Sequence, residues 1–394
     1  MRLFQHSTSL SICLHMIVKN ESHVIERALN SVKSLIKYWI IVDTGSTDDT
    51  REKIQKIMDG VPGELHERPW VGFGHNRTEA LHLAKPHGDY LLVLDADDWL
   101  EYDAGFTLPE AESEVYTACW EFNKSFQYTK PLLVKSSLPW YWKGVFHEYL
   151  TMEPAKKIES EKFLSNIRYI VGGGGARSQD PKKSHHSAMI LEQALRDEPE
   201  NSRYAFYLAE SYRESGQLSK AIMAYQKFLS MPGWDQEVYW ALIQMGLVQK
   251  QMNWPWESVS MSFFKAYAYR AFRAEAVYFL AELYNEQQKH ALAYALVKGY
   301  MATPKKHPAE TGFCLPWVDT YGLLFQLSIS AFYVGEYKES LDLNDALLNQ
   351  EIPANIRKQV EINRQFPVQR LLGGVDEGRY TLGIQGFGDP INSW

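Results

Sequence analysis

Between residues 10 and 95, short apolar runs rich in β-branched side chains alternate with segments of helical period. Residues 10–18 read as a strand, and 22–37 as a helix with Val24, Ile25, Ala28, Leu29, Val32 and Leu35 along one side. Residues 39–42 follow as a strand, 48–58 as a helix, 64–68 as a strand, 76–84 as a helix, and 90–94 as the most apolar strand of the set. Strands separated by helices pair in parallel, because a crossover must return the chain to the same end of the sheet. The pattern predicts an α/β domain with a Rossmann-like, mostly parallel sheet.

Further along, residues 113–171 are less regular, with strand-like pieces at 115–120 and 126–134 and an aromatic group at Trp140, Tyr141, Trp142 and Phe146. The run Gly172-Gly173-Gly174-Gly175, followed by Asp180-Pro181, offers almost no side chains to pack and reads as a hinge. Beyond residue 184 the texture is helical. Leu208, Ala209, Tyr212 and Ala221 have counterparts at Leu280, Ala281, Tyr284 and Ala293, consistent with two units of about 36 residues, and a more degraded copy includes Ala331, Gly335, Ser340 and Leu347. Small residues that let helices approach, beside large ones that fill the gap, resemble tetratricopeptide repeats and predict stacked helical hairpins. The expected boundaries are a first domain over 1–171, a linker over 172–183, an all-α repeat domain over 184–370, and a glycine-rich tail over 371–394.

Of the 394 residues, 45% are hydrophobic and 23% charged, enough apolar material for more than one core. Against 48 acidic residues stand 41 Lys and Arg, so the chain lacks the basic excess that phosphate-backbone binding uses, and nucleic acid is not an expected partner. Cys13, Cys119 and Cys314 have neither metal-ligand nor redox spacing and are expected as thiols of a reducing compartment. No run of about 18 apolar residues is present. A cytoplasmic chain, with room for peripheral membrane contact, is the expectation.

Chemistry concentrates at the ends of the predicted strands. In Leu94-Asp95-Ala96-Asp97-Asp98, residues two apart in an extended chain point the same way, so Asp95 and Asp97 are expected to face one point at the carboxyl edge of the sheet. Two such carboxylates repel unless a cation neutralises them, and oxygen ligands suit Mg2+ or Mn2+. A solvated turn with a helix cap at Asp97 or Asp98 is the plainer alternative. Asp43-Thr44-Gly45-Ser46-Thr47-Asp48 closes the second strand, with Ser46 or Thr47 expected to cap the next helix and Asp43 free to accept a hydrogen bond from a base or ribose. Val18-Lys19-Asn20-Glu21 closes the first strand, and Asn76-Arg77 opens the helix that leads to the acids, where Arg77 suits a phosphate and Asn76 suits a ligand or a cap.

Taken in this order, Val18 to Glu21, Asp43 to Asp48, Asn76-Arg77 and Asp95 to Asp98 resemble the nucleotide-sugar half of a family 2 glycosyltransferase with the GT-A fold, over about residues 9–150. The resemblance implies that Val18, Asn20, Glu21, Asp43, Gly45, Ser46, Asn76, Arg77, Asp95 and Ala96 line the donor site. It further implies that Asp95 and Asp97 belong to the metal and diphosphate motif. Trp142-Lys143-Gly144-Val145-Phe146-His147-Glu148 resembles a segment of a bacterial branch that also carries tetratricopeptide repeats. There His147 is a candidate further metal ligand, Glu148 the first and Asp98 the second candidate base, and Trp142 a sugar platform. Structural roles for these four side chains stay open.

The activity so implied is metal-dependent transfer of a sugar, with inversion, from a nucleoside-diphosphate donor to the hydroxyl of a saccharide, a lipid-linked saccharide or a protein. The helical array is expected to bind a protein partner or a second copy of the chain. Two rival readings are a catalytically silent nucleotide-sugar-binding module on a repeat scaffold, and a sugar-phosphate nucleotidyltransferase. The latter is expected to carry a glycine-rich basic loop that residues 16–21 lack.

Overall fold

The computed structural model describes residues 10–122, 125–303 and 312–373, so the expected 374–394 part of the tail lies outside the described residues. The chain divides into two compact units, residues 1–207 and 208–394.

The first unit opens with β1 (Ile12–Val18), α1 (Ile25–Val32), β2 (Tyr38–Asp43), α2 (Thr50–Ile57), β3 (Gly63–Glu67), α3 (Phe73–Ala84) and β4 (Tyr90–Val93). There follow β5 (Trp99–Tyr102), β6 (Val115–Phe122), β7 (Phe126–Lys135), β8 (Trp140–Lys143), β9 (Tyr149–Met152), β10 (Glu161–Ile170), α4 (Lys183–Asp197) and α5 (Ser202–Glu214), the last running across the division between the units. Eight strands form one sheet in the order β3-β2-β1-β4-β7-β6-β10-β5, and β8 pairs with β9 as a separate hairpin.

As expected from the crossovers, β1 is parallel to β2 and β4, and β2 is parallel to β3. The later half mixes senses, with β7 antiparallel to β4 and β6, β10 parallel to β6, and β5 antiparallel to β10. The pairing of β6 and β7 slips beside Pro131, which has no N–H to give the ladder. Helix α1 buries Ile25, Ala28, Leu29 and Val32 at the spacing of one helical face, in the same core as Leu14, Met16, Ile41 and Leu92. The opposite core gathers Cys13, Ile40, Leu81, Leu91, Val134 and Trp140. All four residues of β4 are buried, the mark of a strand covered on both faces. This places the end of β4 next to the end of β1, between the two cores.

The second unit is wholly helical among its described elements, with α6 (Leu218–Leu229), α7 (Asp235–Gln251), α8 (Trp256–Tyr269), α9 (Ala274–Glu286), α10 (His290–Ala302), α11 (Leu323–Tyr333), α12 (Tyr337–Leu348) and α13 (Ala354–Leu371). Each packs on the next, as the repeat pattern requires. The small Ala221, Ala281 and Ala293 are buried, as are Tyr225, Tyr284 and Tyr300. A buried ion pair, Arg273 with Glu275, also donates to the carbonyls of Gly312 and Phe313 and fastens that loop. No helix among the described residues is long and apolar enough to cross a membrane.

Candidate functional site

The loops after β1 and β2 are stitched to each other. Val18 carbonyl accepts from Thr44 N at 2.9 Å and Thr44 Oγ1 at 3.1 Å, Asn20 N donates to Ser46 Oγ at 2.9 Å, and Thr47 N donates to Asn20 Oδ1 at 2.7 Å. Asn20 is left-handed at φ +57°, a conformation asparagine tolerates, while Gly45 at φ +106° takes one that disfavours a side chain. Asp48 Oδ1, rather than Ser46 or Thr47, receives the N–H of Thr50 at the start of α2. Asp43 is 1% exposed, and its Oδ1 accepts from Gly45 N and Ser46 N, both at 2.8 Å. Its Oδ2 is buried with no hydrogen-bond partner. An unmet carboxylate oxygen is costly, about 1–3 kcal/mol or more, so this strand end holds an acceptor awaiting a donor.

The acidic turn beyond β4 splits its carboxylates between two sets of neighbours. Asp95 N donates to Tyr169 Oη at 2.8 Å, and Asp95 Oδ1 lies 2.5 Å from Arg77 Nη2. The same guanidinium lies 2.5 Å, through Nε, from Glu148 Oε1, and its centre is 5.1 Å from the Trp142 ring. Arg77 thus bridges two carboxylates that belong to different parts of the chain, rather than standing open to a phosphate. Asp97 Oδ2 accepts from Gly175 N at 2.8 Å, Asp98 Oδ1 from Gly172 N at 2.8 Å, and Glu21 carboxylate from Ala176 N at 3.2 Å. Residues 172–176, expected as an unpacked hinge, are therefore a strap across the acids. A Cβ on Gly175 would stand 2.7 Å from Asp97 Oδ2, which explains glycine there.

Burial, and then the charge of Asp95, raises Asp97 above the usual carboxylate range; Asp98 is raised well above it by burial, Asp95 and Asp97. Burial also brings Glu21 up to about 7. Asp98, 4% exposed and tied to the strap, is enclosed rather than presented to a substrate. Ala96 is 6% exposed and packs into the core.

Asn76 is fully buried, its Oδ1 accepting from Val71 N and Gly72 N and its Nδ2 donating to Pro69 carbonyl. Its amide holds the loop before α3, so the expected contact with a ligand is taken up by backbone. Against α3 lies the hairpin of β8 and β9, whose turn needs Gly144 at φ +123° and His147 at φ +51°. Thr78 Oγ1 accepts from Trp142 N, and a Cβ on Gly74 would meet Gly144 carbonyl at 2.7 Å. An open cleft of about 610 Å3 lies along this seam, lined by Gly74, His75, Thr78, Glu79, His82, Leu83 and Trp142, and includes none of Asp43, Asp95, Asp97, Asp98 and Glu148.

His147 does not join Asp95 and Asp97. Its ring stacks on Tyr207 at 3.8 Å and meets Phe146 edge-on at 4.2 Å, while Arg203 donates to its carbonyl. Removal from water by these rings, although part of the residue reaches solvent, and then the charges of Arg203, Lys130 and Arg177 hold the imidazole well below its ordinary value. Among the described residues no three His, Cys, Asp or Glu side chains gather as a metal cage. Any divalent ion at Asp95 and Asp97 would therefore complete its shell with oxygens of a ligand, as Mg2+ commonly does with phosphates. Sequence reasoning missed Tyr169, the strap and the three cations, none of which forms part of a local motif.

Residues 13–106 match the family described as Glycosyl transferase family 2. An uncharacterized glycosyltransferase of Rickettsia felis is 36% identical over 89 residues, covering 23% of this chain and 29% of that protein. A TPR repeat-containing protein of Synechococcus elongatus is 33% identical over 116 residues, covering 28% and 27%. The SPbeta prophage-derived glycosyltransferase SunS of Bacillus subtilis is 25% identical over 241 residues, covering 57% and 56%. The chain spans under a third of the length of the Rickettsia relatives it matches. The parallel strands β1 to β4, the stitched loops at Asp43 and the acids beyond β4 fall within or at the edge of the matched residues, and the N-terminal part of this chain is a glycosyl transferase family 2 domain.

Proposed function

We propose that the chain transfers a sugar from a nucleoside-diphosphate donor to an acceptor hydroxyl, with inversion at the anomeric carbon. The observation that carries this reading is the Arg77 bridge, which ties Asp95, at the end of the donor-side strand, to Glu148 of the acceptor-side hairpin, each at 2.5 Å. Asp43, with one buried oxygen unmet, is the acceptor for a donor group of the nucleoside. Asp95 and Asp97 would hold a divalent ion, Mn2+ or Mg2+, that arrives with the diphosphate and stabilises the negative charge developing on the leaving oxygen. Val18, Asn20, Glu21, Gly45 and Ser46 act by shaping the two loops around that donor.

Glu148 is the base. As the acceptor oxygen bonds to the anomeric carbon, its proton passes to the Glu148 carboxylate and the electron pair of the breaking C–O bond leaves with the diphosphate. Arg77, 14% exposed at its side chain, holds Glu148 in place and balances its charge before transfer. The acceptor class is a saccharide, a lipid-linked saccharide or a protein, and the helical array is a surface for a protein partner or a second copy.

Binding of nucleoside diphosphates, with and without Mn2+, to the wild-type chain, Asp43→Asn and Glu148→Gln tests the reading. Asparagine keeps Oδ1 for Gly45 and Ser46 and alters only the unmet position. Nucleotide affinity is expected to fall at least tenfold in Asp43→Asn, while Glu148→Gln binds normally and loses transfer by about 10²–10⁴-fold. Unchanged nucleotide binding in Asp43→Asn, or full transfer by Glu148→Gln, refutes it.

A further inference from the structure

One continuous stretch of chain, from the end of β10 into the strap, bonds to every acid of the turn beyond β4. Tyr169 Oη accepts from Asp95 N at 2.8 Å and donates its own proton to the Asp98 carboxylate. Gly172 N then bonds Asp98 Oδ1, and Gly175 N bonds Asp97 Oδ2, both at 2.8 Å. Ala176 N reaches the Glu21 carboxylate, in the loop after β1, at 3.2 Å.

The stretch is itself held in place. Tyr169 is fully buried and stacks on Trp120 at 3.5 Å and 8°, because the two stand side by side in the register of β10 on β6. His23 Nε2 lies 2.7 Å from the Gly174 carbonyl oxygen. A Cβ on Gly172 would stand 2.0 Å from the Asp97 carbonyl oxygen, so the strap rests directly on the backbone of the turn. The carboxylates of Asp95, Asp97 and Asp98 repel one another, and a fixed arrangement of their oxygens needs donors from elsewhere in the chain. With Asp97 Oδ2 on the strap, Oδ1 is the oxygen left to meet a cation. Groups that orient metal ligands in this way commonly account for about 10–100-fold in metal affinity.

We propose that Tyr169 and the strap are positioning elements for the cation site, setting the direction from which Asp97 meets a divalent ion without themselves touching ion, donor or acceptor. The inference rests on the reading above for the ion's place at Asp95 and Asp97.

The full chain is titrated with Mn2+, followed by the electron paramagnetic resonance of the free ion, alone and with UDP, GDP, ADP or CDP. Tyr169→Phe removes the hydroxyl and keeps the ring on Trp120, and Gly175→Ala pushes the strap off Asp97 from its other end. Each is expected to weaken Mn2+ about 10–100-fold while the same diphosphate binds in EDTA with wild-type affinity, a split that general damage to the fold does not give. Should one variant not fold, the other decides. Wild-type Mn2+ affinity in a folded variant, or an equal loss of the diphosphate in EDTA, overturns the positioning role. A chain that transfers sugar with Mn2+ while the variants keep its affinity loses this inference and keeps glycosyl transfer. Weakened Mn2+ in the variants of a chain that transfers no sugar keeps the positioning role and loses the transfer reading. A wild-type chain that binds no Mn2+ under any of these conditions overturns the inference together with the cation's place at the acids.

Discussion

Replacing Arg77 by methionine removes a cation that two carboxylates share, so its cost can be worked from the structure. The side chains of Glu148 and Asp95 are 10% and 33% exposed, and each oxygen is 2.5 Å from a guanidinium nitrogen. Truncating one member of a buried ion pair typically costs about 3–5 kcal/mol, because the charge left behind has lost its partner without regaining water. Asp95 reaches solvent enough to recover part of its hydration, which places the expected loss near the lower end, about 3 kcal/mol. For a unit of about 200 residues this lowers the melting temperature by roughly 6–12 °C. Methionine retains packing on Trp142, so the deficit is electrostatic and should shrink when one of the stranded acids is replaced by a neutral isostere. Scanning calorimetry of Arg77→Met at pH 7.5 measures the loss, and Arg77→Met combined with Glu148→Gln should regain part of it. A single variant melting within about 2 °C of the wild type, or a double variant no more stable than the single one, refutes the shared-bridge account.

Glu21 retains its proton up to about 7 in the folded chain against an ordinary 4.5, so the folded state binds the extra proton in between and stability falls as pH rises through that window. Urea midpoints at pH 5, 6, 7 and 8 should show a shallower fall for Glu21→Gln than for the wild type; equal slopes would sink this assignment. Gly175→Ala should lose the hydrogen bond to Asp97, about 1–3 kcal/mol, and free the strap, seen as faster amide exchange at residues 172–176; wild-type exchange there contradicts the strap. Asn76→Ala leaves Val71 and Gly72 N–H groups without their acceptor and should cost about 2–3 kcal/mol in urea unfolding, while nucleotide affinity per folded molecule stays unchanged; a specific loss of nucleotide binding would return Asn76 to the ligand.

The first half of the sheet was readable because its signals are local and redundant. Residues 12–18, 38–43 and 90–93 are apolar runs buried on both faces, and the amphipathic segments between them leave no connection except a crossover. β10 gave no such signal, since seven positions from Glu161 onward alternate poorly and only Leu164 and Ile167 are buried before Tyr169. Its partner β5 is four residues long and half exposed. Such strands are specified by the edge they complete, not by their own pattern.

At the site the sequence disclosed where the acids stand along the chain but not what faces them. Asp43, Asp95 and Asp97 stand at strand ends, where a reader of periodicity finds them, yet Asp97 and Asp98 owe their hydrogen bonds to the N–H groups of Gly175 and Gly172. Backbone donors carry no residue code, and four glycines in a row look alike whether they swing free or bind. The discriminating clue is chemical. Three acids raised above their ordinary range by burial, Glu21, Asp97 and Asp98, cannot stand side by side without donors, and a stretch without β-carbons can bring several N–H groups close enough to serve all three. The same reasoning accounts for Arg77. Its charge answers two carboxylates remote from each other in sequence, so the pairing that joins the turn after β4 to the β8–β9 hairpin is a property of the fold and becomes visible only when α3, β4 and that hairpin are assembled.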